Sequence, residues 1–310
     1  MNIVFMGNPQ FSVPALKAIA DSNHQILAVV TNPPKQMGRG RSLQPTPVGI
    51  VANELDLTVI PAIDLKSENL INELVDLEPD IFVVIAYRIL PDELINIPKI
   101  GAINLHTSLL PKYRGAAPIQ HALMNGDTET GVTTFLIQRK VDTGNILLQE
   151  SCIIDDQDDY GSLSEKLSLL GAKLLVRTLD NIERGDLGSQ PQDHTLSTPA
   201  PKILPPDCII NWNNSAQNIH NQIRGLSPTP AAFTFFKNKR LKLFKTDCVK
   251  TELHGKIGSI VHLTKSECYI QTGDGVLSIL ECQKEGKSRM NIRQFLLGSN
   301  LSIGDQFSSE

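Results

Sequence analysis

Cysteine is scarce and scattered in this chain of 310 residues: Cys152, Cys208, Cys248, Cys268 and Cys282 lie far apart and form no CxxC pair. That spacing argues against a zinc site and against a disulfide framework, so they read as reduced, mostly structural thiols and no metal is expected. Long apolar runs are also missing. Stretches such as Ile81 to Ala86 fall far short of the ~20 residues that cross a bilayer. Met1-Asn2-Ile3-Val4 enters a strand pattern with no basic region ahead of it. With no export signal visible, the expectation is a cytoplasmic protein with no membrane contact. The G-x-G-x-x-G loop of dinucleotide sites is absent as well. The first strand ends Phe5-Met6-Gly7-Asn8-Pro9, and Pro9 removes a backbone N–H where a phosphate would need one, which argues against a nicotinamide site. Neither a P-loop lysine pattern nor an HExxH pattern occurs, and there is no internal repeat.

What is present has the balance of a globular protein, with 41% hydrophobic and 20% charged residues and length enough for two domains. Runs at 2–6, 25–31, 57–60, 80–86 and 102–105 read as strands, the fourth apolar throughout as a strand buried on both faces should be. Helix patterns at 14–21, 48–54 and 65–77 alternate with them. This rhythm predicts an α/β fold with a doubly wound, mostly parallel sheet. Two further strands, 131–137 and 146–153, flank a turn at Asp142-Thr143-Gly144, and a long helix follows over 162–184. Residues 190–206, rich in Pro, Ser, Thr and Gln, read as a linker between a catalytic domain over 1–189 and a second domain over 207–310. After a helix at 216–224, short alternating runs separated by turns such as Lys237-Asn238 predict a small antiparallel barrel or open sheet of the oligonucleotide-binding (OB-like) type.

Charge divides along the chain. Residues 201–310 carry 14 Lys and Arg against 9 Asp and Glu, a net of +5, and the whole chain is −4, which leaves −9 for residues 1–200. A basic carboxyl-terminal portion on an acidic protein hints at a polyanionic partner, although a solvated basic surface has the same signature.

The most informative stretch is Asn104-Leu105-His106-Thr107-Ser108-Leu109-Leu110-Pro111, followed by Lys112-Tyr113-Arg114-Gly115-Ala116-Ala117-Pro118. On a strand, Asn104 and His106 point to the same side, which sets an amide donor beside an imidazole where the strand breaks into a turn. That pairing suits a reaction in which negative charge develops on a carbonyl oxygen while a proton moves. Asp142, if it reaches the same strand-end cleft, completes a set that could orient the imidazole and take up a proton; an ordinary turn aspartate is the simpler reading of Asp142 alone. The loop Gly38-Arg39-Gly40-Arg41 is able to lay the guanidinium groups of Arg39 and Arg41 against phosphates.

Taken together, these segments resemble the methionyl-tRNA formyltransferases. The match runs in order through Gly7-Asn8-Pro9 with Phe11, the Arg39 loop, the block 104–118, Gly126-Asp127-Thr128-Glu129-Thr130-Gly131, Asp142-Thr143-Gly144, Asn211-Trp212-Asn213 and Thr272-Gly273-Asp274-Gly275. The resemblance implies a formyltransferase-type, Rossmann-like catalytic domain. Its implied activity is transfer of the formyl group of 10-formyltetrahydrofolate, a co-substrate, to the α-amino group of methionine on initiator tRNA, by a monomer without a metal. It also implies that Asn104, His106 and Asp142 are catalytic and that Ser108, Leu109, Leu110 and Pro111 face the folate. It sets Tyr87 and Arg88 at the same pocket, in a segment Tyr87-Arg88-Ile89-Leu90-Pro91 one residue shorter than the family's usual Tyr-Gly-x-Ile-Leu-Pro. The Arg39 loop would enter the tRNA acceptor end, and the barrel would hold the tRNA backbone. Sugar-nucleotide and glycinamide ribonucleotide formyltransferases and formyltetrahydrofolate hydrolases share this chemistry and are the alternatives among enzymes; a noncatalytic RNA-binding protein on the same fold is the alternative outside them.

Overall fold

The computed structural model describes residues 1–37, 42–186 and 188–309, and it divides into two compact units. The first comprises Met1–Ala116, Glu129–Ile153 and Ser164–Ala200; the second comprises Ala117–Thr128, Ile154–Leu163 and Pro201–Glu310. The segment read as a linker is thus built into the first unit as far as Ala200.

Strands β1 (Asn2–Gly7), β2 (Gln25–Thr31), β5 (Val59–Pro61), β6 (Ile81–Ile85), β7 (Gly101–His106), β8 (Glu129–Leu136) and β9 (Ile146–Ile153) form a sheet in the order β5-β2-β1-β6-β7-β8-β9. The first five in that order are parallel and the last two antiparallel. A short hairpin of β3 (Lys35–Met37) and β4 (Ser42–Gln44), not expected from the sequence, stands apart from the sheet. Every residue of β6 is buried, as its unbroken apolar run requires. Helix α1 (Val13–Ala20) has Pro14 in its first turn, while α2 (Pro47–Glu54) and α3 (Glu68–Asp76) are capped by the hydroxyls of Thr46 and Ser67, which accept from Gly49 N and Leu70 N. Ser67 also explains why α3 starts three residues after the apolar pattern does. Val4, Met6, Ala28, Val30, Phe82 and Val84 share one buried cluster with Leu70 and Leu74 of α3 and Leu94 of the short helix α4 (Asp92–Ile95). Because β2 lies on one side of β1 and β6 and β7 on the other, the winding reverses at β1, and the carboxyl ends of these strands are where an open α/β sheet takes its ligands.

In the second unit, helices α5 (Pro118–Asn125) and α7 (Ala216–Leu226) accompany a sheet of β10 (Ala232–Phe236), β11 (Lys239–Val249), β14 (Val276–Lys284), β13 (Cys268–Gln271) and β12 (Ile260–Leu263), with β15 (Met290–Asn291) pairing β14. Helix α6 (Tyr160–Arg184) is the long helix of the chain and α8 (Ile292–Leu297) the last. Lys237 and Asn238, the turn between β10 and β11, both adopt left-handed backbone (φ 49° and 61°), the geometry of a tight hairpin. Residues 305–308 close the sheet on itself: Phe307 N donates to Gly258 O and Ile260 N to Asp305 O on one side, and Phe235 and Ser308 exchange both backbone bonds on the other. The barrel anticipated from the alternating runs is completed by this tail, whose Phe307 is 2% exposed against Trp212 and Phe236. Truncating Phe307 to Ala should cost about 3–5 kcal/mol of stability. Denaturant titration of the variant checks this, and an unshifted midpoint would mean that the tail does not close the barrel.

Candidate active site

Strand β7 ends at the residues singled out by the sequence. Asn104 pairs with Val84 of β6 and Phe135 of β8, and His106 with Thr133 of β8, so both side chains leave the same face at the carboxyl end of the sheet. His106 is 6% exposed, its ring edge-on to Phe135, and its Nε2–H donates to Tyr113 O at 2.8 Å. That bond assigns Nε2 as the protonated nitrogen and aims Nδ1 at Asp142, whose Oδ2 stands 3.8 Å away. The separation is too long for a hydrogen bond. Asp142 is itself 8% exposed, and its Oδ2 accepts from Gly115 N–H at 2.8 Å. The structure therefore brings His106 and Asp142 together across 36 residues of chain, with Asn104 two residues from the imidazole on one strand. Asn104 Oδ1 is buried and meets no hydrogen-bond partner among the described residues. That unmet atom is an acceptor, so it fits an N–H or O–H donor supplied from outside the chain, as an amine would supply it.

Two backbone positions make this arrangement possible. Gly115 has φ 128°, a conformation that side chains exclude, and it presents its N–H to Asp142 from there. Gly144 passes so close to Leu136 that a Cβ on it would lie 1.6 Å from the Leu136 carbonyl oxygen. Asp142 adopts a left-handed conformation, φ 54°, in the turn between them.

The turn after His106 is tied down from within. Thr133 Oγ1 donates to Ser108 O and accepts from Leu110 N and Gln149 Nε2, and Ser108 Oγ donates to Lys112 O. Ser108 and Leu110 are buried, while Leu109 and Pro111 are half-buried, so only part of the expected folate-facing segment is turned outward. Arg88 is anchored by its neighbours. Its guanidinium donates to Ala62 O, Ile63 O and Tyr87 Oη at 2.6–2.9 Å, which leaves its charge holding the chain's own carbonyls. Tyr87 is half-buried beneath it, and burial pushes its phenol above the ordinary range. An open cleft of about 570 Å³ lies along this strap, lined by Lys66, Arg88, Ile89 and Leu90 among others; Asn104, His106 and Asp142 do not line it. The chemistry of a donor, an imidazole and a carboxylate therefore locates the candidate site better than cavity volume does. Arg39 and Arg41 lie outside the described residues. Among the described residues no cluster of His, Cys, Asp or Glu is arranged to hold a metal, and no helix is long and apolar enough to cross a membrane.

Sequence reasoning overlooked the groups that hold the set in place: Tyr113 O, the Gly115 N–H, Thr133 and Gln192. Only Gly115 carried a legible signal, as a glycine between an arginine and two alanines where a turn was expected.

A doubly wound sheet with an amide, an imidazole and a carboxylate at its carboxyl edge, followed by a small barrel, is an arrangement suited to the transfer of carbonyl-level groups. The Formyl transferase family matches residues 1–179, and the Formyl transferase, C-terminal domain family matches residues 202–300. The methionyl-tRNA formyltransferase of Thermodesulfovibrio yellowstonii is 45% identical over 308 residues, 99% of each chain. The chain belongs to the methionyl-tRNA formyltransferase family. Among solved structures, the N-formyltransferase from Helicobacter canadensis, in complex with folinic acid and dTDP-3-aminofucose, shares the fold at a TM-score of 0.68 and 23% identity, covering 91% of this chain and 98% of that one. HypX from Aquifex aeolicus in complex with tetrahydrofolic acid shares it at 0.64 and 18% over 96% of this chain, which spans only about half (47%) of HypX.

Proposed function

We propose that this protein transfers the formyl group of 10-formyltetrahydrofolate to the α-amino group of methionine on initiator tRNA, acting as a monomer in the cytoplasm. The observation that carries the proposal is the match to a methionyl-tRNA formyltransferase across 99% of both chains, with the carboxyl-terminal domain included. In the proposed division of labour, residues 1–189 hold the chemistry, 190–206 connect, and the barrel of 207–310 holds the tRNA backbone.

The folate derivative supplies a formyl group activated on nitrogen, and the chain's residues deal with charge and protons. The new C–N bond forms to the methionine amine as the bond between formyl carbon and folate nitrogen breaks; the amine loses one proton and the departing nitrogen gains one. Asn104 is assigned donation from its amide nitrogen to the oxygen that becomes negative in the transition state, a role suited by its place two residues from His106 at the end of β7. Asp142 is assigned the amine's proton, received through water. His106 Nδ1, 3.8 Å from Asp142, lies within reach of that transfer, and its ring is fixed by the bond to Tyr113 O. Ser108, Leu109, Leu110 and Pro111 are assigned to the folate-facing turn, and Tyr87 and Arg88 to the same folate pocket. Arg39 and Arg41 are assigned to the acceptor end of the tRNA.

Supplying labelled 10-formyltetrahydrofolate with charged initiator tRNA, an amino-sugar nucleotide or water alone tests the reading. Label should appear on the methionyl-tRNA; label on the sugar nucleotide, or released as formate only, would move the protein to another branch of the fold. The +5 charge of residues 201–310 adds a second expectation. Affinity for tRNA should fall as salt rises, by close to one power of salt concentration for each phosphate neutralised. A salt-independent affinity would remove the barrel from tRNA binding.

A further inference from the structure

Residues 190–200, with the texture of a tether, are built into the candidate site. Gln190 exchanges both backbone hydrogen bonds with Ile146 at 2.8 Å. Further on, the strap runs beside the turn that follows β7: Arg114 N donates to Thr198 O, Ala200 N to Arg114 O, and Tyr113 N to Thr198 Oγ1, all within 2.8 Å. Tyr113 is the residue whose carbonyl orients His106. Between these two attachments lies Gln192, only 7% exposed. Its amide nitrogen donates one hydrogen to Asp142 O at 3.0 Å and the other to Gly144 O at 2.7 Å. Its Oε1 accepts from Nε and Nη2 of Arg114, and the guanidinium also meets His194 Nδ1.

Every bonding capacity of this amide is therefore used, and all of it on two loops. Its two donors grip the carbonyls on either side of Thr143, where Asp142 sits in the left-handed region, a conformation that persists only when the surroundings impose it. Its acceptor holds a cation whose field reaches the Asp142 carboxylate: burial lowers the Arg114 guanidinium from its ordinary range, and Asp142 acts in the opposite sense. No other common side chain does both at this length. Glutamate has no N–H, asparagine is one methylene shorter, and methionine has neither donor nor a strong acceptor.

We infer that Gln192 is a positioning residue for formyl transfer, acting through Asp142: it fixes the backbone of the Asp142 turn and the Arg114 charge beside it, so that the carboxylate faces His106. The inference rests on the proposed role of Asp142 and extends it to a residue that touches no substrate. Misplacing a reacting group by an ångström costs turnover and leaves binding intact.

The test is a double-mutant cycle between Gln192→Met and Asp142→Asn, read in steady-state formylation of methionyl-tRNA with kcat and both KM values separated. Gln192→Met should lower kcat about 30–100-fold with each KM within about threefold of the parent. In the Asp142→Asn background the same substitution should lower kcat by less than about threefold, because the group it positions is already gone. Gln192→Glu, which keeps the acceptor toward Arg114 and loses both donors, should follow the same pattern, and it carries the test if the Met variant does not fold. A parental kcat in the folded Gln192 variants, a rise in KM alone, or a full multiplicative loss on top of Asp142→Asn would each overturn the inference. An Asp142→Asn protein with parental kcat would instead overturn the reading of the site itself, so the two failures are told apart.

Discussion

Asn104→Ala protein is expected to bind both substrates as the parent does and to turn over about 10²–10³-fold more slowly. The size follows from what the amide is placed to do. It sits on a central strand between Val84 and Phe135, held by two ladders of backbone hydrogen bonds that fix where its amide nitrogen can point. A donor fixed in a poorly hydrated site acts on charge that exists only in the transition state, so its removal lowers kcat and leaves KM nearly unchanged. His106→Ala should behave alike, with a loss of about 10²–10⁴-fold, because the imidazole is oriented by Tyr113 O before substrate arrives. Stopped-flow single-turnover formylation separates the chemical step from release. A loss confined to KM in either variant would assign that residue to binding and remove it from the reaction.

Gly144→Ala is the second substitution with a large expected effect, and it acts without touching any reacting group. A Cβ at this position would stand 1.6 Å from the Leu136 carbonyl oxygen, closer than any side-chain adjustment relieves, since the obstacle is backbone. The backbone of residues 142–144 must move, and Asp142 Oδ2 moves with it, away from the Gly115 N–H and from His106. A displacement of about 1 Å at a reacting group costs roughly 10²-fold in rate. The expected signature is a loss of activity near that of Asp142→Asn in a protein whose tRNA affinity is retained, because the barrel is not involved. Parental activity in the folded Gly144→Ala protein would mean that the turn tolerates rearrangement and that Asp142 is not held by it.

Much of this was legible in the sequence because the relevant patterns are local. Alternating β and α periods gave the doubly wound sheet, and the apolar run at Ile81–Ile85 proved to be a strand buried on both faces. The spacing of Asn104 and His106 on one strand placed them on one face by geometry alone. The residue types allowed Asp142 as a partner for His106, but nothing local in Asp142-Thr143-Gly144 separates it from an ordinary turn, and the ordered resemblance along the chain weighted that reading. The tail strand at 305–308 was illegible because its bonds depend on Gly258, Ile260 and Phe235 far away in sequence. Gln192 was hidden for a different reason: the composition of 190–206 is that of a tether, and hydrogen bonds made by a single buried amide leave no periodicity. The bonds of Arg88 to Ala62 O and Ile63 O were illegible because they join positions 26 and 25 residues apart, after β6 and after β5, which the sheet order separates by β2 and β1.

The account turns on convergence of Asn104, His106 and Asp142 on one formyl group. A crystal structure of the protein with 5-formyltetrahydrofolate, a stable analogue of the donor, measures that convergence directly. The account predicts the pterin-bearing end beside Ser108–Pro111, the formyl oxygen at about 2.7–3.2 Å from the Asn104 amide nitrogen, and His106 and Asp142 flanking the formyl carbon. A formyl group seated elsewhere, with all three side chains turned away from it, would contradict the account.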